Sequence, residues 1–330
     1  MRYFITGATG FIGGRVARQL VAAGHQVVAL ARDPAKAGDL AGLGVELHAG
    51  DITDRASLRA PMTGVDGVFH IAGWYKIGDR DTAANARINV EGTRNVLETM
   101  RDLGIPRGVY TSTLAVFSDT GGRLVDETYR HGGPWLSEYD RTKWVAHYEV
   151  ALPLIEAGLP LTIVQPGAVY GPGDTSTLHD VLVAYLRGRL PMVPARTAYC
   201  WGHVDDTARG HVLALERGRP GESYIIAGPV HTLVDALAIA ERITGIPAPR
   251  VHVSPSVLRM GAALAGPLGA VAPLPPTYTA EALRSGAGVT YTGDNAKARR
   301  ELGLTMRPLE EGLRETLAFE MGRLGIAPRR

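Results

Sequence analysis

The feature that most constrains the fold is a glycine-rich turn between two strand-like runs near the start of the chain. Residues 2–6 form a short β-type run, residues 7–14 read GATGFIGG, a helical apolar pattern follows, and residues 26–30 are apolar again. Strand, glycine turn, helix and strand within about thirty residues make the βαβ unit of a parallel sheet. The sequence therefore predicts an α/β protein.

The same alternation continues through the first half of the chain. Further apolar runs lie at residues 45–48, 67–71, 108–111 and 161–164, with helical patterns between most of them, and in the second half short strands such as 223–226 separate looser helical patterns. Strands that are apolar throughout are typical of sheets covered by helices on both faces. We predict a doubly wound parallel sheet, the Rossmann architecture, with residues 1–165 as the dinucleotide-binding domain. Residues 166–330 are predicted to form a smaller, partly interleaved substrate-binding portion.

The glycine turn itself predicts a ligand. Gly7, Gly10 and Gly13 stand where a strand turns tightly into a helix, so the backbone can approach a pyrophosphate and the helix N-terminus can face its charge. A dinucleotide is the predicted ligand, ahead of a purely structural turn.

The end of the second strand predicts which dinucleotide is bound. An acidic residue there accepts hydrogen bonds from an adenosine 2′-hydroxyl, whereas an arginine pairs with a 2′-phosphate. Ala31 occupies that position and Arg32 follows, with Lys36 as a second phosphate contact. NADP(H) is therefore the preferred cofactor, and Asp33 leaves NAD(H) as the alternative.

A tyrosine and a lysine four residues apart, Tyr139 and Lys143, are the candidate catalytic pair. Residues 135–150 contain no glycine or proline and are predicted to be one helix, which would put both side chains on the same face. An adjacent ammonium stabilises a phenolate, so the pair can exchange a proton with a carbonyl or alcohol oxygen.

Composition excludes several other classes. The net charge of +2 is too small to favour nucleic acid or an anionic membrane as a partner, and no His/Cys cluster has the spacing of a metal site. Cys200 is the only cysteine, which suits a reducing compartment, and a strand starting at Arg2 leaves no room for a signal peptide. The apolar residues 261–276 are broken by three prolines and are not predicted to span a membrane. We expect a cytoplasmic protein.

Several motifs together resemble one known family. They are GATGFIGG at 7–14, Thr111-Ser112-Thr113 at a strand end, Tyr139-x-x-x-Lys143, GAVYGP at 167–172 and HVDD at 203–206. In this order they resemble the extended short-chain dehydrogenase/reductase superfamily, the NAD-dependent epimerases and dehydratases, and within it the branch similar to dihydroflavonol reductase.

The resemblance implies roles for the matching residues. The pyrophosphate would be held by Gly7, Thr9, Gly10, Phe11 and Ile12. The rest of the cofactor would meet Asp51 and Ile52 at the adenine, Ala72, Gly73 and Asn89 along the channel, and Lys143 and Pro166 at the nicotinamide end. Tyr139 would be the acid/base, and the Thr113 hydroxyl would orient the substrate oxygen, with Ser112 as the fallback.

The sequence departs from the family pattern at three places. Gln165 replaces the usual arginine before Pro166, Phe117-Ser118 replaces Tyr-Gly, and Leu114 stands where dehydratases carry acidic residues. The first two departures argue against a sugar-nucleotide pocket, and the third argues against dehydratase chemistry. We predict an NADP(H)-dependent oxidoreductase that transfers a hydride between nicotinamide and a carbonyl or secondary-alcohol substrate. An NAD-dependent nucleotide-sugar epimerase is the alternative, and a non-catalytic dinucleotide-sensing regulator the remote one. The resemblance also suggests a homodimer through the Tyr139 helix and the helix after the fourth strand.

Overall fold

A computed structural model describes residues 1–75, 81–271 and 279–327. Its centre is a parallel sheet of seven strands in the order β3-β2-β1-β4-β5-β6-β10. These strands are β1 (Arg2–Thr6), β2 (Gln26–Ala31), β3 (Glu46–Ala49), β4 (Gly67–His70), β5 (Gly108–Thr111), β6 (Leu161–Pro166) and β10 (Ser223–Ile226). The predicted doubly wound sheet is confirmed: the six apolar runs predicted in the first half lie in it, and its seventh strand is the run 223–226, which was predicted as a short strand of the second half.

Six further strands form two smaller sheets. The strands are β7 (Ala168–Tyr170), β8 (Met192–Pro194), β9 (Ala198–His203), β11 (Val230–Thr232), β12 (Val251–Val253) and β13 (Thr290–Tyr291). Strand β9 pairs with β7, β11 and β13, and β8 pairs with β12. Since β10 lies at the edge of the large sheet, the second half of the chain contributes to both parts.

Helices cover both faces of the large sheet and build the C-terminal portion. Those of the first half are α1 (Phe11–Ala22), α2 (Gly38–Gly42), α3 (Ala56–Met62), α4 (Thr82–Ala86), α5 (Thr93–Asp102), α6 (Glu138–Val145) and α7 (Leu152–Glu156). Those of the second half are α8 (Thr177–Leu186), α9 (Val204–Arg217), α10 (Leu233–Thr244), α11 (Pro255–Val271), α12 (Ala280–Ser285), α13 (Ala296–Leu302) and α14 (Leu309–Leu324). Two π-helical segments, Arg87–Gly92 and Ala146–Ala151, join α4 to α5 and α6 to α7.

The alternation of side chains along the strands divides the core of the sheet into two layers. Tyr3 and Ile5 of β1 pack with helices α1 and α9 on one face, and Phe4 packs with α3 and α5 on the other. A third apolar cluster, around Trp201 and Leu313, holds the C-terminal portion together. The result is a sheet whose carboxyl edge faces the loops that carry the candidate site.

The start of α6 and the apolar stretch 261–276 differ from, or bear on, what the sequence predicts. The helix predicted from Trp135 begins at Glu138, because the Ser137 side chain accepts a hydrogen bond from the Asp140 backbone N–H at 3.0 Å and so caps α6. Residues 261–271 lie in α11, and the rest of the apolar stretch 261–276 lies outside the described residues. No helix among the residues that the structure describes is long and apolar enough to cross a membrane.

Candidate active site

The glycine turn after β1 is sterically restricted. Gly7 has φ of +75°, and a Cβ placed on it would lie 2.7 Å from the Ala72 backbone nitrogen. A Cβ on Gly13 would lie 2.1 Å from the Gly7 carbonyl oxygen. Only glycine fits these close approaches. Helix α1 begins at Phe11 with no capping side chain on Gly10 and no acid in its first turn, so its N–H groups fit a pyrophosphate.

The Thr6 hydroxyl joins this turn to the end of β4. It accepts hydrogen bonds from the backbone N–H groups of Ile71 and Ala72, both at 3.2 Å, and is bonded to His70 Nδ1 at 2.8 Å. Burial lowers the pKa of His70 to about 3, so this imidazole is neutral at physiological pH. His70 supports the strand end, and Ala72 and Gly73 follow it at the carboxyl edge.

Asn89 ties the chain after β4 to the helix that carries Tyr139. Its side-chain oxygen accepts from Trp74 N at 2.7 Å, and its amide donates to Trp74 O and to Thr142 Oγ1, both at 3.0 Å. A Cβ on Gly73 would lie 3.3 Å from the Asn89 oxygen. Asn89 therefore fixes the position of the backbone beside Ala72 and Gly73, the other residues predicted to line the cofactor channel.

The ribose end of the predicted cofactor site lies after β2. Arg32 is exposed, and no ion pair or hydrogen bond links it to any other residue described by the structure. Lys36 Nζ lies 3.1 Å from Asp33 Oδ2, and these side chains are 85% and 48% exposed. The two predicted phosphate ligands therefore differ, because Lys36 already has a carboxylate neighbour.

The predicted adenine residues follow β3. The Asp51 carboxylate accepts from the Thr53 N–H at 2.9 Å and from its hydroxyl at 2.8 Å, which forms a tight turn. Ile52 is buried, and a Cβ on Gly92 would lie 2.6 Å from its side chain. The Ile52 side chain thus belongs mainly to the core between this turn and the π-helical segment.

Two neighbouring hydroxyls at the end of β5 have different surroundings. Thr113 accepts from the Ala115 N–H at 3.1 Å and is hydrogen-bonded to the Tyr139 phenol. The Ser112 hydroxyl is buried and bonded to His147 Nδ1 at 2.8 Å. Thr113, rather than the fallback Ser112, stands beside the tyrosine.

Lys143 lies one turn after Tyr139 on α6 and is buried. Its ammonium donates to the Thr111 carbonyl at 2.8 Å and to the Tyr110 hydroxyl at 3.1 Å. Burial lowers the pKa of Lys143 to about 7. Tyr110, on β5, is a supporting residue that the sequence did not single out, although its place in a strand ending at the candidate site was visible.

The expected lowering of the Tyr139 pKa is not found. Burial raises the pKa of Tyr139 to about 12, and the hydrogen bond with Thr113 opposes this rise only in part. The Lys143 ammonium is engaged with β5 and its field does not offset desolvation. Tyr139 is therefore a neutral phenol at physiological pH, ready to donate a proton.

Asp140 is a buried carboxyl that sequence reasoning missed. It accepts from the Ser137 hydroxyl at 2.6 Å and from the Tyr291 hydroxyl at 3.1 Å. Burial raises the pKa of Asp140 to about 7. Tyr291 comes from β13 and stacks on Tyr199 with ring centroids 6.1 Å apart. The C-terminal portion thus contacts the start of α6 directly.

The end of β6 lies at the same edge of the sheet. Pro166 is paired with Ile226 of β10. Gln165 is fully buried, and its amide has no hydrogen-bond partner within the described part of the chain. After β7, the Thr175 Oγ1 atom lies 3.2 Å from the hydroxyl of the exposed Tyr75.

One cluster outside this site has the composition of a metal site. His203, Asp205 and Glu315 offer ligand atoms within 4.8 Å of one another. Arg307 donates to Glu315 at 3.0 Å, and the Asp205 N–H donates to His203 Nδ1 at 3.3 Å. Because the arginine already neutralises a carboxylate, we interpret this cluster as an ion-pair network between β9, α9 and α14.

Comparisons with known proteins agree with this geometry. The family model described as the NAD dependent epimerase/dehydratase family matches residues 3–227. A Synechocystis protein named as a dihydroflavonol 4-reductase is 33% identical over 328 residues, covering 96% of this chain and 93% of its own. Sterol demethylase protein B of Methylococcus capsulatus is 31% identical over 329 residues, covering 97% and 98%. A crystal structure of a nucleoside-diphosphate-sugar epimerase from Pseudomonas aeruginosa is 27% identical, with a TM-score of 0.79 over 99% of both chains.

Proposed function

The chain belongs to the NAD dependent epimerase/dehydratase family and is an NAD(P)-dependent oxidoreductase, and from this premise we propose that it is an NADP(H)-dependent reductase of ketones or aldehydes. The observation that carries the proposal is the arrangement of Tyr139, Thr113 and the buried Lys143 at the carboxyl edge of the sheet, where burial raises the pKa of Tyr139 to about 12 and keeps the phenol protonated. A neutral phenol is the form that can donate a proton to a carbonyl oxygen.

The cofactor would be held along the edge of the sheet. The turn from Gly7 to Ile12 would bind the pyrophosphate, Asp51 and Ile52 would flank the adenine, and Ala72, Gly73 and Asn89 would border the channel. Pro166 and Lys143 would lie at the nicotinamide end. When bound there, the nicotinamide supplies the hydride.

The protein's own part in the reaction is orientation and proton transfer. The Thr113 hydroxyl would hydrogen-bond the substrate carbonyl oxygen and fix it against Tyr139. The Tyr139 phenol would give its proton to the oxygen as negative charge develops there. The Lys143 ammonium, with its pKa near 7, would stabilise the phenolate left behind.

Arg32 supports NADP(H) over NAD(H). Its guanidinium is exposed and unpaired among the described residues, and a 2′-phosphate is the group that such a cation binds best. A ribose 2′-hydroxyl would instead favour a carboxylate at the end of β2, where Ala31 stands.

The portion formed by residues 166–330 would bind the rest of a small carbonyl or alcohol substrate. Support comes from the hydrogen bonds by which this portion reaches the site, Tyr291 to Asp140 and Thr175 to Tyr75. The buried Gln165 in place of an arginine argues against the phosphates of a nucleotide sugar.

The test is a paired titration of the purified, cofactor-stripped protein with NADPH and NADH, followed by turnover on a panel of ketones and aldehydes. We expect NADPH to bind at least tenfold more tightly, to exchange freely and to be consumed with a ketone or aldehyde. Tightly retained NAD with weaker NADPH binding would contradict the proposal and favour the nucleotide-sugar epimerase.

A further inference from the structure

Helix α11 presents apolar side chains to solvent. Val257, Met260 and Leu264 are 52%, 62% and 64% exposed. Their spacing of i, i+3 and i+7 places them on one face of the helix. Ala262 and Ala265 on the other side are buried. Three large apolar side chains of this helix therefore face solvent, while two small ones face the protein.

The two-stranded ribbon before the helix extends this surface. Met192 and Val251 are paired across β8 and β12 and are 49% and 57% exposed. A Cβ on Gly288 would touch both Pro255, the first residue of α11, and Arg196, just after β8. The ribbon and the helix are thus adjacent. We call Met192, Val251, Val257, Met260 and Leu264 the α11 surface.

The segments that carry the α11 surface are cationic. The sequence has no aspartate or glutamate at residues 181–204 or 242–280. Six exposed arginines lie within these segments or beside the ribbon: Arg187, Arg189, Arg196, Arg242, Arg250 and Arg259. Among the described residues, two of these arginines form ion pairs, Arg242 with Glu310 at 3.4 Å and Arg250 with Glu241 at 2.9 Å. The net charge of the whole chain is only +2, and on that basis no membrane partner was expected, but the whole-chain value hides the local excess of positive charge in these segments.

We propose that the α11 surface docks on an anionic lipid membrane. Exposed apolar side chains flanked by unpaired arginines match the boundary of such a membrane, where acyl chains lie beneath negative headgroups. A second copy of this chain fits less well, because a symmetric contact would bring two arginine-rich surfaces together. The inference concerns a surface distinct from the oxidoreductase site and does not depend on the substrate proposed above.

The experiment is co-sedimentation of the full chain with vesicles of phosphatidylcholine, alone or with 30 mol% phosphatidylglycerol, at low and high salt. We expect binding to the anionic vesicles that falls as salt is raised, and little binding to phosphatidylcholine alone. The double substitution Met260→Ser, Leu264→Ser should lower the partition coefficient roughly tenfold. Arg196→Gln with Arg259→Gln should lower it roughly 25-fold, about fivefold for each arginine.

Matched controls carry similar substitutions elsewhere. Leu124 is 58% exposed and Arg209 is exposed on α9, so Leu124→Ser and Arg209→Gln should bind vesicles like the unsubstituted protein. All variants should keep their circular dichroism and their affinity for NADPH, which separates lost docking from lost folding.

Two results would overturn the proposal. The first is no binding to anionic vesicles at low salt, or equal binding by the variants and the unsubstituted protein. The second is a dimer, measured by light scattering, that becomes a monomer with Met260→Ser, Leu264→Ser while vesicle binding is absent. That second result would assign the surface to another copy of the chain.

Discussion

The two ends of the proposed cofactor site are built in different ways. At the catalytic end, Lys143 is 5% exposed and donates two hydrogen bonds to β5, beside the partly buried Tyr139. At the ribose end, Arg32 and Lys36 lie on an exposed turn after β2, and Lys36 is 85% exposed. Polar groups act more strongly where water is excluded. Substitutions at the first end should therefore change the chemistry, and those at the second end should change only which cofactor binds.

The largest effect is expected at Tyr139. Tyr139→Phe removes the phenolic proton while keeping the ring, so the turnover number should fall by roughly 10²–10⁴. The dissociation constant of NADPH should stay within a few-fold, since the phenol would meet the substrate rather than the phosphates. Steady-state turnover and a fluorescence titration of NADPH measure the two quantities. Tyr75→Phe, which removes an exposed hydroxyl, is the matched control, and turnover within tenfold for Tyr139→Phe would remove it from catalysis.

The second largest effect is expected at the two neighbouring hydroxyls that follow β5, those of Thr113 and Ser112. Thr113→Ala should lower kcat/KM by about 10², because one donor to the developing oxyanion is lost. Ser112→Ala should keep most of the activity, although losing its bond to His147 should lower the unfolding free energy by about 1 kcal/mol. Kinetics and thermal unfolding of both variants are needed. The reverse pattern, with Ser112→Ala the less active, would move the substrate oxygen to Ser112.

The features that the sequence predicts are those set by local contacts, and the features that it does not predict depend on contacts between distant parts of the chain. Six of the seven strands of the sheet and the turn at Gly7 and Gly13 are predictable, because apolar runs and glycine spacing are local signals, whereas the pairing of β10 with β6 is not. Helix propensity alone predicts the start of α6 three residues early, because the helix begins only after the Ser137 cap.

The protonation states of the site residues could not be predicted from the sequence. Asp140 and Tyr291 are 151 positions apart, so only the fold brings the two side chains together. The raised pKa of Tyr139 arises from burial, which one sequence does not reveal, whereas the Tyr139–Lys143 spacing does. Sequence therefore identifies the candidate groups, and the packing around them determines their protonation.

At the ribose end the expected effects are smaller and confined to binding. Arg32→Ala should weaken NADPH binding by roughly 10–100-fold, the range of a charge-assisted hydrogen bond to an unpaired cation. NADH lacks the 2′-phosphate, so its affinity should hardly change. Isothermal titration of both cofactors measures the ratio. An equal loss for both would mean that Arg32 acts on the shape of the turn rather than on the phosphate.

Lys36 should give the smallest effect. Its ammonium is already 3.1 Å from the Asp33 carboxylate, and exposed pairs of this kind contribute about 0–1 kcal/mol. Lys36→Ala should therefore change NADPH affinity by no more than about fivefold. Asp33→Asn is the informative companion, because it frees the ammonium and removes a negative charge beside the proposed phosphate, and it should tighten NADPH binding while leaving NADH binding unchanged. If Lys36→Ala instead matched Arg32→Ala in size, the ion pair with Asp33 would have to break on cofactor binding, and the ribose end would be a rearranging site rather than a preformed one.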